Sequence, residues 1–221
     1  MFIGHFAVGF ASKRAAPRVS LGWLTAAALL PDLLFPLFSL LGWEHVRVVP
    51  GKSALTALEF VAYPITHSLA GTCGWAVGLA LVYWLRTRYA REAFVLSLAV
   101  LSHWLLDALT HRPDMPLYPG GPVVGLGLWN SVIGTVVVEG SLFVLAVWAY
   151  IAATRAMDRV GVWALRALIV VLGLLYWKHI AGPPPPSAGI FGWVALSAWL
   201  FPLWAWWIDR HRKLKTCGVE A

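Results

Sequence analysis

The chain has 221 residues, of which 60% are hydrophobic and only 12% are charged, and its formal net charge is +7. A soluble domain has about a quarter of its residues charged, so this composition excludes an ordinary soluble protein and predicts an all-α, polytopic membrane protein. Its two cysteines are too few for a disulfide framework or a thiolate metal cluster.

Residues 1–12, MFIGHFAVGFAS, form the first apolar segment. A helix needs about 20 residues to cross a bilayer, so this segment is too short to span. We expect a short helix packed against the bundle, either as a half-helix or as an interfacial segment. The segment carries His5, which lies eight residues before Lys13 and reaches the membrane interior only if the segment dips well into the bundle.

Six longer apolar segments follow, and each is long enough to span a bilayer as a helix. We place the spans near residues 20–42, 67–85, 93–111, 131–153, 161–180 and 189–208. The sequence therefore predicts one membrane domain over residues 1–221, a bundle of about six helices that ends in a basic tail at residues 209–221.

The basic residues predict the orientation of this bundle. Twelve of the 17 Lys and Arg residues lie before the first span or after the second, fourth and sixth spans, whereas three lie in the alternate connections. Because positively charged loops stay in the cytoplasm, both termini are expected on the cytoplasmic side. The same distribution accounts for the charge of +7 without a nucleic-acid partner, and membrane lipids are the expected surroundings.

The first span contains Asp32 between Pro31 and Pro36, in the stretch LLPDLLFP. A charged side chain at the centre of a membrane helix costs about 2.5–3.5 kcal/mol, so its presence needs a reason. One reason is that prolines free backbone groups, which then need new partners. The other is a functional role, and the sequence leaves both open.

The second span begins with YPITHSLAG, which places His67 at the predicted outer face. Thr66 and Ser68 are residue types that cap the start of a helix. His67 is either a histidine at the membrane interface or a member of a site at this end of the bundle.

The third span carries the stretch LSHWLLDALTHRPD, with His103, Asp107 and His111 four residues apart. This spacing puts the three side chains on one face of a helix. Imidazole nitrogens and a carboxylate at one-turn spacing suit a divalent metal, of which Zn²⁺ fits best and Mn²⁺ or Fe²⁺ are alternatives. The stripe is otherwise a set of hydrogen-bonded packing contacts, or a cap where Pro113 ends the helix.

The fourth span carries Glu139, about 12 Å from its outer end and therefore level with His103. Glu139 is either a metal ligand or a general acid/base for a reaction at the metal. The same polar residues permit a carrier for a cation or proton, or a scaffold with a structural metal. Few polar residues lie below His103 in the third span, which favours a one-sided site and hence an enzyme.

Several short stretches together resemble a group of bacterial integral membrane proteins and, through them, the YdjM-type family of inner-membrane metal-dependent hydrolases. The stretches are MFIGHFAVGF, LPDLLFP, YPITHSL, LSHWLLDALTHRPDMPLYPGG and VGLGLWNS, and the resemblance covers roughly residues 1–145. It implies a phospholipase-like hydrolase acting on a lipid or lipid-linked ester. It also implies that the metal-binding set includes His5, Asp32 and His67 beside His103 and Asp107.

Overall fold

The computed structural model describes residues 1–215, which form a bundle of α-helices with short two-stranded sheets at its ends. Residues 216–221, and with them the end of the predicted basic tail, lie outside the described residues. The helices are α1 (Ile3–Ala15), α2 (Leu21–Ala28), α3 (Leu30–Leu40), α4 (Pro64–His67), α5 (Leu69–Thr87), α6 (Ala90–Thr110), α7 (Val132–Ala153), α8 (Arg159–Ala181), α9 (Ala188–Ala195) and α10 (Leu200–Arg210). Single 3₁₀ turns cover Leu128–Asn130 and Leu196–Trp199.

The predicted all-α membrane bundle is confirmed. Four single helices, α5 to α8, are long and apolar enough to cross a membrane, and the run Ala188–Arg210 through α9 and α10 is a fifth. The pair α2 and α3 makes a sixth span if its two helices are counted together. Each of these helices lies on one of the segments expected from the sequence.

The first span is broken, and α2 and α3 meet at an angle of 57°. Leu29 between them has non-helical backbone angles. The break is explained by Pro31 in the first turn of α3, because proline has no amide hydrogen to donate to the preceding turn. The bend leaves Asp32 in the first turn of α3, inside the bundle.

The N-terminal segment forms a short helix packed against the bundle, as expected. Helix α1 packs against α2, α6 and α7, and most of its residues are buried. Its aromatic side chains enter the main apolar core, where Phe10 meets Phe143 and Tyr150 of α7. The helix runs from the neighbourhood of Asp107 at its start to Asp209 at its end.

Short strands close both ends of the bundle. At the predicted outer end, β1 (His45–Val48) pairs with β2 (Leu58–Ala62), and β3 (Met115–Pro116) pairs with β4 (Val123–Val124), both antiparallel. At the other end, β5 (Thr154–Ala156) pairs with β6 (Arg212–Leu214), so part of the predicted tail is tied to the end of α7.

Candidate metal centre

Five side chains with metal-binding chemistry meet inside the bundle, and they come from four helices. They form two overlapping groups whose ligand atoms lie within 4.8 Å of one another: His5, His103 and Asp107, and Asp32, His67 and His103. The structure thus brings together the residues from α1, α3, α4 and α6 that the sequence named as candidates.

Helix α6 supplies the centre of the site. His103 and Asp107 lie one turn apart, as the spacing predicts, and His103 Nε2 is 3.1 Å from Asp107 Oδ2. Both residues are buried, with exposures of 0% and 1%. A carboxylate this deep in a membrane bundle requires partners that offset its loss of hydration.

Helix α1 adds His5 to the same carboxylate. His5 Nε2 lies 3.0 Å from Asp107 Oδ1, and the Met1 amino group contacts the same oxygen. The imidazole of His5 stacks on that of His103, with ring centroids 3.7 Å apart and planes 8° from parallel. The two rings therefore present their Nε2 atoms side by side to the two oxygens of Asp107.

The orientation of His103 is set by the end of α2. Its Nδ1 lies 2.9 Å from the carbonyl oxygen of Ala28, one of the terminal carbonyls that a helix cannot pair internally. A carbonyl only accepts hydrogen bonds, so Nδ1 carries the proton and Nε2 keeps its lone pair. Nε2 has no hydrogen-bond partner among the described residues. This is the arrangement by which a backbone carbonyl fixes a metal-binding histidine.

Two consecutive side-chain hydrogen bonds set the orientation of His67. Its Nδ1 lies 2.6 Å from Thr66 Oγ1, and that hydroxyl donates to Glu44 Oε2 at 2.7 Å. Glu44 Oε1 accepts the backbone N–H groups of Ile65 and Thr66. Because the Thr66 hydroxyl donates to a carboxylate, it accepts from His67 Nδ1, and His67 Nε2 is left free to bind.

Asp32 forms the accessible edge of the site. Its Oδ1 is 3.4 Å from His67 Nε2 and 3.7 Å from His103 Nε2. Its side chain is 43% exposed, whereas those of His103 and Asp107 are at most 2% exposed. Asp32 is therefore the most exposed of the five side chains.

This set of ligand atoms fits a divalent cation. Three imidazole nitrogens and two carboxylates are the N and O ligands that Zn²⁺ and related ions take in proteins. The Nδ1 atoms of His103 and His67 are each held by a partner, which leaves their Nε2 lone pairs directed at the carboxylates. The surrounding bonds thus prepare these two imidazoles as ligands rather than as hydrogen-bond donors, whereas Nδ1 of His5 has no partner among the described residues.

His111 lies apart from both groups. Helix α6 ends at Thr110, and His111 follows it with Nδ1 3.0 Å from Asp114 Oδ1 and its ring 4.4 Å from that of Trp129. Burial disfavours the charged form of Asp114, but hydrogen bonds from His111 and Tyr63 lower its pKa below the usual 3.8. The role of His111 as a metal ligand stays a prediction that this contact does not favour.

Glu139 lies beside the centre without joining either group. It is fully buried, and its Oε2 accepts the backbone N–H of Phe2 at 2.8 Å and that of Gly4 at 3.4 Å. It therefore caps the start of α1 from the neighbouring helix. Its Oε1 has no partner among the described residues, so a role as proton acceptor stays a prediction.

Sequence reasoning missed Glu44. The only signal was an acidic residue directly after the first span, and nothing in the local pattern connects it to Thr66, 22 positions later. Its burial at 0% exposure is evident only in the fold.

Comparison with known protein families shows what the chain is similar to. A protein family described as YdjM inner membrane protein matches residues 1–182. The matched range contains all five residues of the two groups and Glu44. No curated protein and no solved structure matches the chain.

Proposed function

The chain belongs to the YdjM inner membrane protein family, and we propose that it is a membrane-embedded, metal-dependent hydrolase acting on a lipid or lipid-linked ester. The observation that carries this proposal is the meeting of His5, Asp32, His67, His103 and Asp107 at one point of a membrane bundle. Buried ionisable residues are expensive in a membrane and are retained mainly where they work together.

These five side chains would hold a divalent cation, and Zn²⁺ suits the mixture of imidazole and carboxylate best. When bound, such an ion lowers the pKa of a coordinated water toward neutrality and polarises an ester oxygen. The Ala28 carbonyl and the Thr66–Glu44 pair orient His103 and His67 for this task.

The remaining steps belong to residues beside the ligands. Glu139 is held by two backbone N–H groups through Oε2, which leaves Oε1 to accept the proton of the attacking water and return it to the leaving group. The exposed side chain of Asp32 marks the edge at which a lipid ester would reach the centre from the membrane.

A carrier for a cation or proton would need a polar path through the other half of the bundle. Between His5 and Lys13, helix α1 presents Phe6 and Phe10 to the apolar core, where Phe10 packs on Phe143. A structural metal site would be closed on all sides, whereas the Asp32 side chain is 43% exposed. Both observations favour the hydrolase over the alternatives.

The test is the metal content of the detergent-purified protein by elemental mass spectrometry, together with release of fatty acid or headgroup from phospholipid vesicles. We expect the wild type to contain near-stoichiometric metal and to show hydrolysis that a chelator abolishes. His103→Gln should lose both the metal and the hydrolysis. The matched control is His45→Gln, because His45 is exposed on β1 and outside both groups. A wild type that takes up no zinc, manganese or iron would overturn the proposal and direct attention to transport assays.

A further inference from the structure

Besides His5 Nδ1 and His103 Nε2 of the metal centre and Trp204 Nε1 of α10, four buried polar atoms lack a hydrogen-bond partner among residues 1–215. They are Trp129 Nε1, Glu139 Oε1, Tyr176 Oη and His179 Nε2. An unpaired polar group costs several kcal/mol in hydrocarbon, so four such atoms in one region need a shared explanation.

Phe2 lies next to three of the four residues, and Trp129 lies next to the third of these, His179. The backbone N–H of Phe2 donates to Glu139 Oε2 at 2.8 Å, and its ring lies 6.3 Å from that of Tyr176 and 5.9 Å from that of His179. The His179 ring lies 6.4 Å from that of Trp129. Met1, the neighbour of Phe2, contacts Asp107 of the metal centre.

These residues lie at increasing depth from the predicted outer end of the bundle, and Glu139 is the deepest of them. Tyr176 and His179 are three residues apart on α8, so they share one face near the end of that helix. His179 is about 3 Å and Tyr176 about 8 Å from the last residue of α8 along its axis. Trp129 lies in the 3₁₀ turn before α7, and Glu139 lies about 10 Å into α7.

The hydrogen-bonding properties of the four atoms indicate which class of ligand fits them. The indole N–H of Trp129 and the hydroxyl of Tyr176 are donors, Glu139 Oε1 is an acceptor, and His179 Nε2 serves as either. A bare phosphate would meet the donors but would be repelled by Glu139, and a cation would meet Glu139 but leave the donors unpaired. Hydroxyl groups donate and accept at the same time, so a polyhydroxyl group suits all four atoms.

We infer that Trp129, Glu139, Tyr176 and His179 form a subsite for the hydroxyl groups of a lipid headgroup, a glycerol or a sugar, next to the ester at the metal centre. This inference rests on the proposed function and specifies its substrate class. The half-buried Phe2 side chain lies among the four residues and would turn aside when the headgroup enters.

The experiment compares binding of two lipids with equal charge and acyl chains, phosphatidylglycerol and phosphatidylpropanol, which differ in two headgroup hydroxyls. Both are titrated into the detergent-purified full chain and followed by native mass spectrometry. We expect the wild type to bind phosphatidylglycerol about 5- to 30-fold more tightly, since one net hydrogen bond is worth about fivefold. Glucosyl diacylglycerol in a third arm separates a sugar headgroup from glycerol.

Tyr176→Phe removes a donor at nearly constant size, and Trp129→Phe removes the indole N–H together with one ring; each should lower the preference about fivefold. The matched control is Trp204→Phe, because the indole nitrogen of Trp204 is also buried and unpartnered but belongs to α10. Equal binding of the two lipids by the wild type, or an equal loss in Trp204→Phe, would overturn the subsite and assign the four atoms to ordered water only.

The titration is repeated on protein stripped of metal with a chelator and checked for metal content. A preference for phosphatidylglycerol in a chain that never binds metal would support the subsite while the hydrolase proposal fails. Bound metal without any lipid preference would overturn the subsite alone.

Discussion

The two ends of α1 both hold buried polar side chains, yet they differ in how donors and acceptors are balanced. At the Lys13 end, Lys13 Nζ donates to Asp209 Oδ2 and to the Val19 carbonyl, both at 2.8 Å. Tyr150 donates to Asp209 Oδ1 at 3.4 Å. Each charge at this end has a partner of the opposite kind.

At the His5 end, three imidazole Nε2 atoms converge on two carboxylates, and His103 Nε2 has no hydrogen-bond partner in the described part of the chain. Asp107 has donors in the Met1 amino group and His5. His103 and His67 instead donate their Nδ1 hydrogens to Ala28 and Thr66, so their Nε2 lone pairs face carboxylate oxygens without a proton between them. Burial of polar residues is therefore common to both ends, and only these Nε2 lone pairs point to a bound cation.

The largest expected effect is on metal affinity, and it distinguishes the His5 end of α1 from the Lys13 end. Asp107→Asn removes the carboxylate that both His5 and His103 approach, so we expect metal affinity to fall by more than about 100-fold and hydrolysis to be lost. Asp209→Asn should leave the metal content unchanged. Elemental mass spectrometry of both variants checks the contrast, and metal loss in Asp209→Asn would show that the two ends are not independent.

The second effect is on thermal stability, and here the larger change is expected at the Lys13 end of α1. Asp209→Ala leaves the buried Lys13 ammonium without its carboxylate, which costs about 3 kcal/mol for a buried pair. The partial exposure of Asp209, 14% of its side chain, places the effect at the lower end of that range. Thermal unfolding in detergent measures it, and Asp114→Ala, which removes the acidic partner of a different ion pair, serves for comparison.

A smaller change tests the role of the Thr66 hydrogen bonds. Thr66→Val keeps the shape of the side chain but removes the hydroxyl that holds His67, and we expect metal affinity to fall about 10- to 100-fold. Thr135→Val is the control, since Thr135 is also fully buried but bonds backbone carbonyls near the start of α7. Competition with a chelator of known affinity gives the values, and equal losses in both variants would contradict a specific role for Thr66.

The smallest effect concerns pH at the end where β5 and β6 meet. A hydrogen bond from His211, and then the backbone N–H of Gly161, lower the pKa of Asp158 below its usual 3.8. Because the folded-state pKa is lower than the unfolded one, Asp158 stabilises the fold above about pH 3.8, and this contribution is lost as pH falls through the folded-state pKa. Asp158→Ala should lower Tm by about 2 °C or less at pH 7, and thermal unfolding should show this difference shrinking as the pH falls through the folded-state pKa.

Local spacing was enough to predict much of the centre. His103 and Asp107 are one turn apart, which places them together in any helix. Asp32 between two prolines indicated a break in a membrane span, and the break is present. The number and position of the spans follow from apolar length alone.

Contacts between distant segments were not predictable in the same way. The pattern of apolar residues in a 13-residue helix does not predict how deep the helix lies in the membrane. The position of His5 depends instead on the packing of α1 against three other helices. The pairing of Lys13 with Asp209 and of Glu44 with Thr66 joins positions that no local pattern relates. The short strands were not predicted, because two to five residues are too few to show the alternation of apolar and polar residues that indicates a strand.

The short helix α1 also has a consequence for how the protein is made. At 13 residues it is too short to be inserted as an independent span, and its Lys13 is paired with Asp209 on α10, the last helix of the described chain. Helix α1 therefore gains this ion-pair partner only after α10 has been synthesised and inserted. A chain that stops before α10 therefore carries all five ligands but lacks the carboxylate that pairs with Lys13 at the far end of α1.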